Sequence, residues 1–331
     1  MNFKNLNRTN DIFIIAEIGN NHEGNFNTAV KLIREAKKSG VDAVKFQTYK
    51  TENFINKFEK KRFKKLKSFE LTFEQFYKLS KIAKKNNLKF ISTPLDLVSA
   101  NFLEKIVDFF KIASGDNNYY ELINQVLNYK KPTIISTGLT NLRDLKNLLN
   151  FVKKKNFSLS KLAFLHCVSS YPVEKQYANL LSIKFLKKEL PITIGYSDHT
   201  IGIAAPLGAV TLGAKIIEKH FTLDNNFSSF RDHKLSLNPK RMKEMVSAAR
   251  VIPPMLGREE KKVNKEEIKT LRLMRRSLYA KNEIMRGQKI LRNDINIVRP
   301  FVHLKPEDLK ILIGKKSKIN TKSGYPIFRK K

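Results

Sequence analysis

Two histidines, His199 and His220, each close an apolar, strand-like run: Ile192-Thr-Ile-Gly-Tyr-Ser-Asp-His199 and Ala214-Lys-Ile-Ile-Glu-Lys-His220. In a barrel of parallel strands, side chains at adjacent C-terminal strand ends converge on one site. Two imidazoles there, with acids and lysines at other strand ends, point to metal-assisted chemistry. An isolated pair of histidines is more often two unrelated polar residues. The neighbouring segments argue otherwise.

Lys45 lies in Val44-Lys45-Phe46-Gln47 and Lys111 in Phe110-Lys111-Ile112. An unpaired ammonium inside an apolar run is costly. Lysines so placed meet an anion or titrate low. Hydroxyls recur at the neighbouring strand ends: Thr93, Ser114, Ser136, Ser169 and Ser197. Beside two lysines they form a cradle for phosphate and carboxylate. Any one of the serines alone reads as a loop cap; the seven residues together in one plane are a stronger signal. His22, on a polar loop, is a weaker candidate for substrate contact. His166 ends an apolar run and reads as a core residue or one that supports the site from behind, and Cys167 as a buried thiol with no activating neighbour. His233 and His303 carry no usable pattern.

These positions need a scaffold, and the chain supplies a rhythm for one. Eight apolar runs read as strands: Ile12–Ile18, Ala43–Gln47, Lys89–Ser92, Phe109–Ile112, Thr133–Ser136, Leu162–His166, Ile192–Gly195 and Lys215–Glu218. Most are apolar on both faces, as in a covered parallel sheet. Helical stripes separate them: Phe26, Ala29, Val30, Ile33 and Ala36 before Gly40, then Leu142, Leu145, Leu149 and Val152. Thr72 with Gln75 forms a capping box, and Asn238-Pro239 an N-cap with proline at the first helical position. The expected fold class is α/β, a (β/α)8 TIM barrel over residues 1–256. An open doubly wound sheet is the alternative. The charged stretch 257–275 reads as a linker, and 276–331 as a small irregular domain with short runs at Ser277–Ala280, Ile295–Val298 and Ile311–Gly314.

The chain has 331 residues with 41% hydrophobic, enough for a large core and a small one. No apolar run reaches membrane-spanning length. The polar start, and a single cysteine that excludes an internal disulfide, favour a cytoplasmic enzyme. Lys+Arg of 64 against Asp+Glu of 30 gives a net charge of +34. Such a chain can bind nucleic acid. Its lysines recur along the whole length rather than in a tail, so no specific nucleic-acid partner is expected. The densest patch, Lys57-Phe-Glu-Lys-Lys-Arg-Phe-Lys-Lys-Leu-Lys67, interleaves aromatics and cations as single-strand binders do. Its place between two barrel elements makes it an active-site loop that steers an anionic substrate.

Taken together, Ile15-Ala-Glu17-Ile-Gly-Asn-Asn-His22-Glu-Gly24, Val44-Lys45-Phe-Gln47, Ser92-Thr93-Pro94, Lys111-Ile-Ala-Ser114-Gly, Ser136-Thr-Gly138, His166-Cys, Tyr196-Ser-Asp-His199-Thr and Glu218-Lys-His220-Phe resemble the sialic acid synthases. The order is right and nearly the whole chain is covered. Arg292-Asn-Asp-Ile-Asn-Ile-Val-Arg299-Pro300 resembles that family's small antifreeze-like (SAF) domain of β-clip type. The resemblance implies condensation of phosphoenolpyruvate with an N-acylated mannosamine-type hexosamine and water, giving a nine-carbon α-keto acid and phosphate. It implies that His199 and His220 hold a divalent metal, Mn2+ in the first instance, with Mg2+ or Co2+ as alternatives. Lys45, Thr93, Lys111, Ser114, Ser136, Ser169 and Ser197 match the phosphoenolpyruvate site. Glu17, Gln47, Tyr171, Asp232 and Arg299 match the acceptor site, with Glu17 and Asp116 as catalytic acids. Arg299 is expected to reach a partner's barrel in a domain-swapped homodimer.

Two departures stand out. Asp116 replaces the family's usual glutamate, one methylene shorter. The segment Ser229-Phe-Arg231-Asp232-His233 lacks the common Gly-Pro-Asp and retains only Asp232. The acceptor is therefore open between N-acetylmannosamine and a diacetamido-6-deoxy hexose leading to legionaminic or pseudaminic acid. Less favoured readings are a Schiff-base aldolase using Lys45 or Lys111 and a nucleic-acid-binding protein.

Overall fold

The computed structural model describes residues 2–328 in two compact units, Met1–Gly257 and Arg258–Lys331. Eight strands close the first into a barrel in chain order, every neighbouring pair parallel and β1 pairing β8. They are β1 (Phe13–Gly19), β2 (Ala43–Thr48), β3 (Lys89–Pro94), β4 (Phe109–Ile112), β5 (Thr133–Ser136), β6 (Leu162–Cys167), β7 (Thr193–Asp198) and β8 (Ile216–His220). The eight expected runs are these eight strands, most of them extended by one to three residues toward the C-terminal end, where the polar residues stand. The open doubly wound sheet is excluded by the β1–β8 ladder.

Strand alternation then decides which side chains enter the barrel. Phe13, Ile15, Ala43, Ile91, Phe109, Ile134, Ala163, Leu165 and Ile216 form a separate interior cluster. The same cluster takes in Phe3 and Leu6 from the short Phe3–Leu6 helix, with Phe3 and Phe13 edge-on to Phe109. Two residues on along the strands, the same parity brings in Glu17, Lys45, Thr93, Lys111, Ser136, Cys167 and Glu218. One end of the barrel is therefore packed with hydrocarbon and the other carries polar groups. Gly195 keeps the lumen narrow: a Cβ there meets the Ile216 carbonyl and the Leu165 side chain.

The outer faces of the strands pack on amphipathic helices in the main core. The Phe26–Lys38 helix buries Ala29, Leu32, Ile33 and Ala36, and Gly40 follows it at a positive φ of 82°. Both halves of the Thr72–Gln75 capping box form. The Leu142–Lys154 helix buries Leu145, Leu148, Leu149 and Val152. Asn238 caps the Pro239–Leu256 helix with proline at its start.

The Lys57–Lys67 patch is not the open loop expected from its composition. Most of it lies in the Lys60–Phe69 helix, whose Phe69 is buried and stacks edge-on against Phe230. The apolar residues Phe63, Leu66 and Phe69 recur at helical spacing, and the cations occupy the exposed remainder.

In the second unit β9 (Ser277–Ala280) and β10 (Ile295–Val298) pair antiparallel. Leu278, Ala280, Ile284, Ile290, Ile295, Leu304, Leu312 and Ile327 make its core. The Ile311–Gly314 run is not a strand; the Leu309–Leu312 helical turn takes up its first half. The charged segment before β9 contains a helix, Lys265–Met274, with an Asn264–Glu267 capping box and no buried side chain.

Candidate active site

The buried lysines do meet anions, and the anions are the protein's own. Lys45 and Lys111 are 4% and 2% exposed. Lys45 Nζ lies 2.6 Å from Glu17 Oε2 and 3.8 Å from Glu218 Oε1. Lys111 Nζ lies 3.9 Å from the same Glu218 oxygen. Four charges of alternating sign thus share the polar end of the lumen. The hydroxyls complete the shell. Thr93 Oγ1 accepts from Lys45 at 3.3 Å, Ser136 Oγ accepts from Lys111 at 2.6 Å, and Ser197 Oγ donates to Glu218 at 3.0 Å.

Ser114 and Ser169 meet over Gly138. Ser114 Oγ accepts from the Gly138 amide at 3.1 Å, while Ser169 Oγ is buried without a partner. A Cβ at 138 would collide with both hydroxyls.

The charges tune one another. Burial is the largest influence on Glu17 and, with the Glu218 charge, pushes it up to about 7 against the pull of Lys45. Burial lowers Lys111, and Glu218 only partly offsets it. Burial also works to lower Lys45, but Glu17 and Glu218 outweigh it and hold that ammonium above its ordinary value. Glu218 ends below the usual carboxylate value despite its burial, because both lysines favour its charge. Asp116, in the 3-10 turn Ser114–Asp116 after β4, is pushed up to about 6 by burial, with Lys111 pulling the other way.

His199 and His220 stand beside this cluster with ring centroids 5.3 Å apart. Burial lowers both pKa values, so both rings are held neutral. His199 Nδ1 lies 2.9 Å from the Val168 carbonyl, which only accepts, so Nδ1 carries the proton and Nε2 a free lone pair. His220 Nδ1 is buried with no partner. Two neutral imidazoles with unspent nitrogen suit a divalent metal. Among the described residues no group of three or more His, Cys, Asp or Glu side chains is gathered for one. The pair therefore fits a cation that takes its other ligands from substrate or water.

The acceptor-side candidates of the barrel lie around the histidines and Glu17. The Tyr171 ring lies against His199, with centroids 4.1 Å apart and planes tilted by 33°. Arg231 lies over that ring at 4.6 Å and pairs with Asp232 at 3.3 Å. Gln47 accepts from Asn20 at 3.0 Å. Arg299 belongs to the second unit, where it lines a cavity with Leu271, Arg275, Arg276 and Lys305.

Several other residues take clear places. His22 is buried against Phe46, with its Nδ1 accepting from the Gly24 amide, rather than displayed on a polar loop. His166 stacks on Tyr196 and meets the Ala178 carbonyl, as a core residue does. The Cys167 thiol is pushed up by burial. His233 is buried between Thr222 at 2.7 Å and Glu23 at 3.1 Å, tying the segment after β8 to that after β1.

Two site residues escaped sequence reasoning. Glu218 is the carboxylate common to both lysines; its place two before His220 on one strand put it on the same face. Arg231 had no such signal, because only tertiary contact brings it onto Tyr171.

The NeuB family profile matches residues 32–261, and the SAF domain profile matches 275–330. An uncharacterized protein of Methanocaldococcus jannaschii, MJ1065, is 43% identical, covering 92% of this chain and 90% of its own. The N,N'-diacetyllegionaminic acid synthase of Legionella pneumophila is 36% identical over 94% of this chain and 92% of its own. The crystal structure of N-acetylneuraminic acid synthetase from Leptospira borgpetersenii superposes with a TM-score of 0.74 at 35% identity, over 78% of this chain and 90% of that one. With the profile spanning most of the barrel and the strand-end residues converging as described, the chain belongs to the NeuB family.

Proposed function

We propose that the barrel condenses phosphoenolpyruvate with an N-acylated hexosamine of the mannosamine type and water, giving a nine-carbon nonulosonic acid and phosphate. C3 of phosphoenolpyruvate bonds to the aldehyde carbon of the sugar. Water adds at C2, and the C2–O bond to phosphate breaks. The observation that carries this reading is the pair of buried lysines, ringed by hydroxyls, beside two neutral imidazoles.

Lys45 and Lys111, with Thr93, Ser114, Ser136, Ser169 and Ser197, bind the phosphate and carboxylate of phosphoenolpyruvate. Glu218, and Glu17 when ionised, hold Lys45 charged when no substrate is bound, while Lys111 is left under-compensated, which makes an anion welcome in an otherwise costly cavity. Glu17, pushed up to about 7, holds a proton near neutral pH and can hand it on. Asp116, pushed up to about 6, is the second proton-transfer group. Tyr171, Gln47 and Asp232 orient the acceptor. His199 and His220 would hold Mn2+, or Mg2+ or Co2+ in its place; the ion supplies positive charge that polarises the aldehyde oxygen and activates water. Arg299 completes the acceptor site of a partner in a domain-swapped homodimer, and the enzyme works in the cytoplasm.

A second acceptor has specific support. The 36% identity with a diacetyllegionaminic acid synthase favours testing a diacetamido-6-deoxy hexose beside N-acetylmannosamine. The experiment is phosphate release from phosphoenolpyruvate with Mn2+ across both acceptor types, with and without chelator. Acceptor-dependent, chelator-sensitive release is expected, and the preferred sugar names the product. His199→Ala or His220→Ala should abolish that release while the far-UV circular dichroism stays unchanged. Full activity of either variant in chelator refutes the metal assignment. A borohydride-trapped pyruvate adduct on Lys45 or Lys111 would replace the whole reading with an aldolase.

A further inference from the structure

Behind the two histidines, on the opposite face of the same strands, lies a buried ion pair that the chemistry above does not use. Asp198 precedes His199 and Lys219 precedes His220. By strand alternation they point out of the barrel, where Tyr196, Ile217 and Phe221 of the same parity belong to the helix-packed core. Lys219 Nζ lies 2.6 Å from Asp198 Oδ2, and both side chains are 0% exposed. The two residues are direct partners in the β7–β8 ladder.

Asp198 does more than pair. Its carboxylate accepts from the Thr200 amide at 2.9 Å, from the Thr200 hydroxyl at 3.2 Å and from the Tyr196 hydroxyl at 2.9 Å. Lys219 Nζ also donates to the Thr200 carbonyl. Thr200 is thus held at both its backbone groups, and His199 lies between two clamped residues. The lysine that closes the clamp is the residue immediately before His220. A buried ion pair is weak as a source of stability, since apolar residues of similar volume often do as well. Its geometric effect is specific: it ties the backbone of one histidine to the strand of the other.

We propose that Asp198 and Lys219 are positioning residues that set the separation and aim of His199 and His220, and so the affinity of the metal site. This rests on the metal reading given above. The test is Mn2+ titration of the full-length protein, by calorimetry and by electron paramagnetic resonance of the free ion, alongside thermal midpoints. Wild type is expected to show one Mn2+ site that His199→Ala removes. Lys219→Met should weaken that site about tenfold or more, the scale typical of a lost outer-shell partner. The double variant Asp198→Asn with Lys219→Met leaves no unpaired buried charge and keeps an oxygen for the Thr200 amide. It should recover much of the thermal midpoint yet keep the weakened Mn2+ affinity. It also carries the test if Lys219→Met alone fails to fold. Wild-type Mn2+ affinity in a folded Lys219→Met or in the double variant overturns the proposal and leaves the pair structural. Absence of any His199-dependent Mn2+ site in wild type overturns the metal reading, and the proposal with it.

Discussion

Lys45 and Lys111 occupy one cavity, yet they are driven in opposite directions. Lys45 has Glu17 against it at 2.6 Å, while Lys111 has its nearest carboxylate at 3.9 Å and leans on Ser136. Contact distance, rather than burial, separates them. Asp116 offers a clean test of burial. Its folded pKa of about 6 lies above the ordinary value of 3.8. The folded protein therefore holds this proton more tightly than the unfolded chain, and stability falls as pH rises from about 4 to about 6. Asp116→Asn removes that loss. Relative to wild type it should gain stability across this window, by up to about 3 kcal/mol for two pKa units, and keep the gain at higher pH. Urea midpoints at pH 4, 5, 6 and 7 measure it; parallel curves for the two proteins refute the assignment.

At the scale of elements, Gly138 shows how the loop after β5 serves the site. Its φ is not in the left-handed region, so the backbone tolerates a side chain, but Ser114 and Ser169 occupy the space. Gly138→Ala should push these hydroxyls apart and raise KM for phosphoenolpyruvate about tenfold or more, with a smaller effect on the acceptor. Equal KM values in the two proteins would remove the two serines from the proposed anion site. The Lys60–Phe69 helix acts at longer range. It packs through Phe69 on Phe230, one residue before Arg231, and Lys65 lies 4.9 Å over the Phe230 ring. Its exposed Lys60, Lys61, Arg62 and Lys64 form a cationic surface joined to the acceptor-side segment. Changing these four to Gln should lower kcat/KM for phosphoenolpyruvate several-fold at low ionic strength and leave it unchanged at 0.5 M salt, a screening length of about 4 Å. Unchanged rates at low salt end the steering role.

At the scale of the molecule, the two units have separate cores, and Arg299 belongs to the smaller one. As the proposed arm into a partner's barrel, Arg299→Ala should raise KM for the acceptor sugar more than KM for phosphoenolpyruvate, by about tenfold against twofold or less. Equal effects on both substrates would argue against that role. Sedimentation of the full chain measures the dimer directly. The Lys265–Met274 helix leaves Ile268, Leu273 and Met274 exposed. The charge of +34 predicts some salt-sensitive, non-specific nucleic-acid binding, which should vanish by moderate salt and carry no sequence preference.

Strand number and strand starts, to within one residue, were legible in the chain itself, as was the placing of Lys45, Lys111, His199 and His220 at one end of the barrel. Alternation has a fixed period of two, so an apolar residue at the closed end of a strand dictates a polar neighbour's face two residues on. That logic places Lys45 after Ala43, Lys111 after Phe109 and Glu218 after Ile216. Helix caps at Thr72 and Asn238 were equally local, since each depends on residues three or four apart. What the chain could not reveal was pairing across it. Glu17 meets Lys45 from another strand, Arg231 reaches Tyr171 across 60 positions, and Asp198 faces Lys219 only because β7 and β8 share a register. The basic patch also needed the fold, because composition alone does not distinguish a charged loop from a helix whose one apolar face has found Phe230. Period and propensity are properties of neighbours in sequence; charge compensation and aim are properties of neighbours in space.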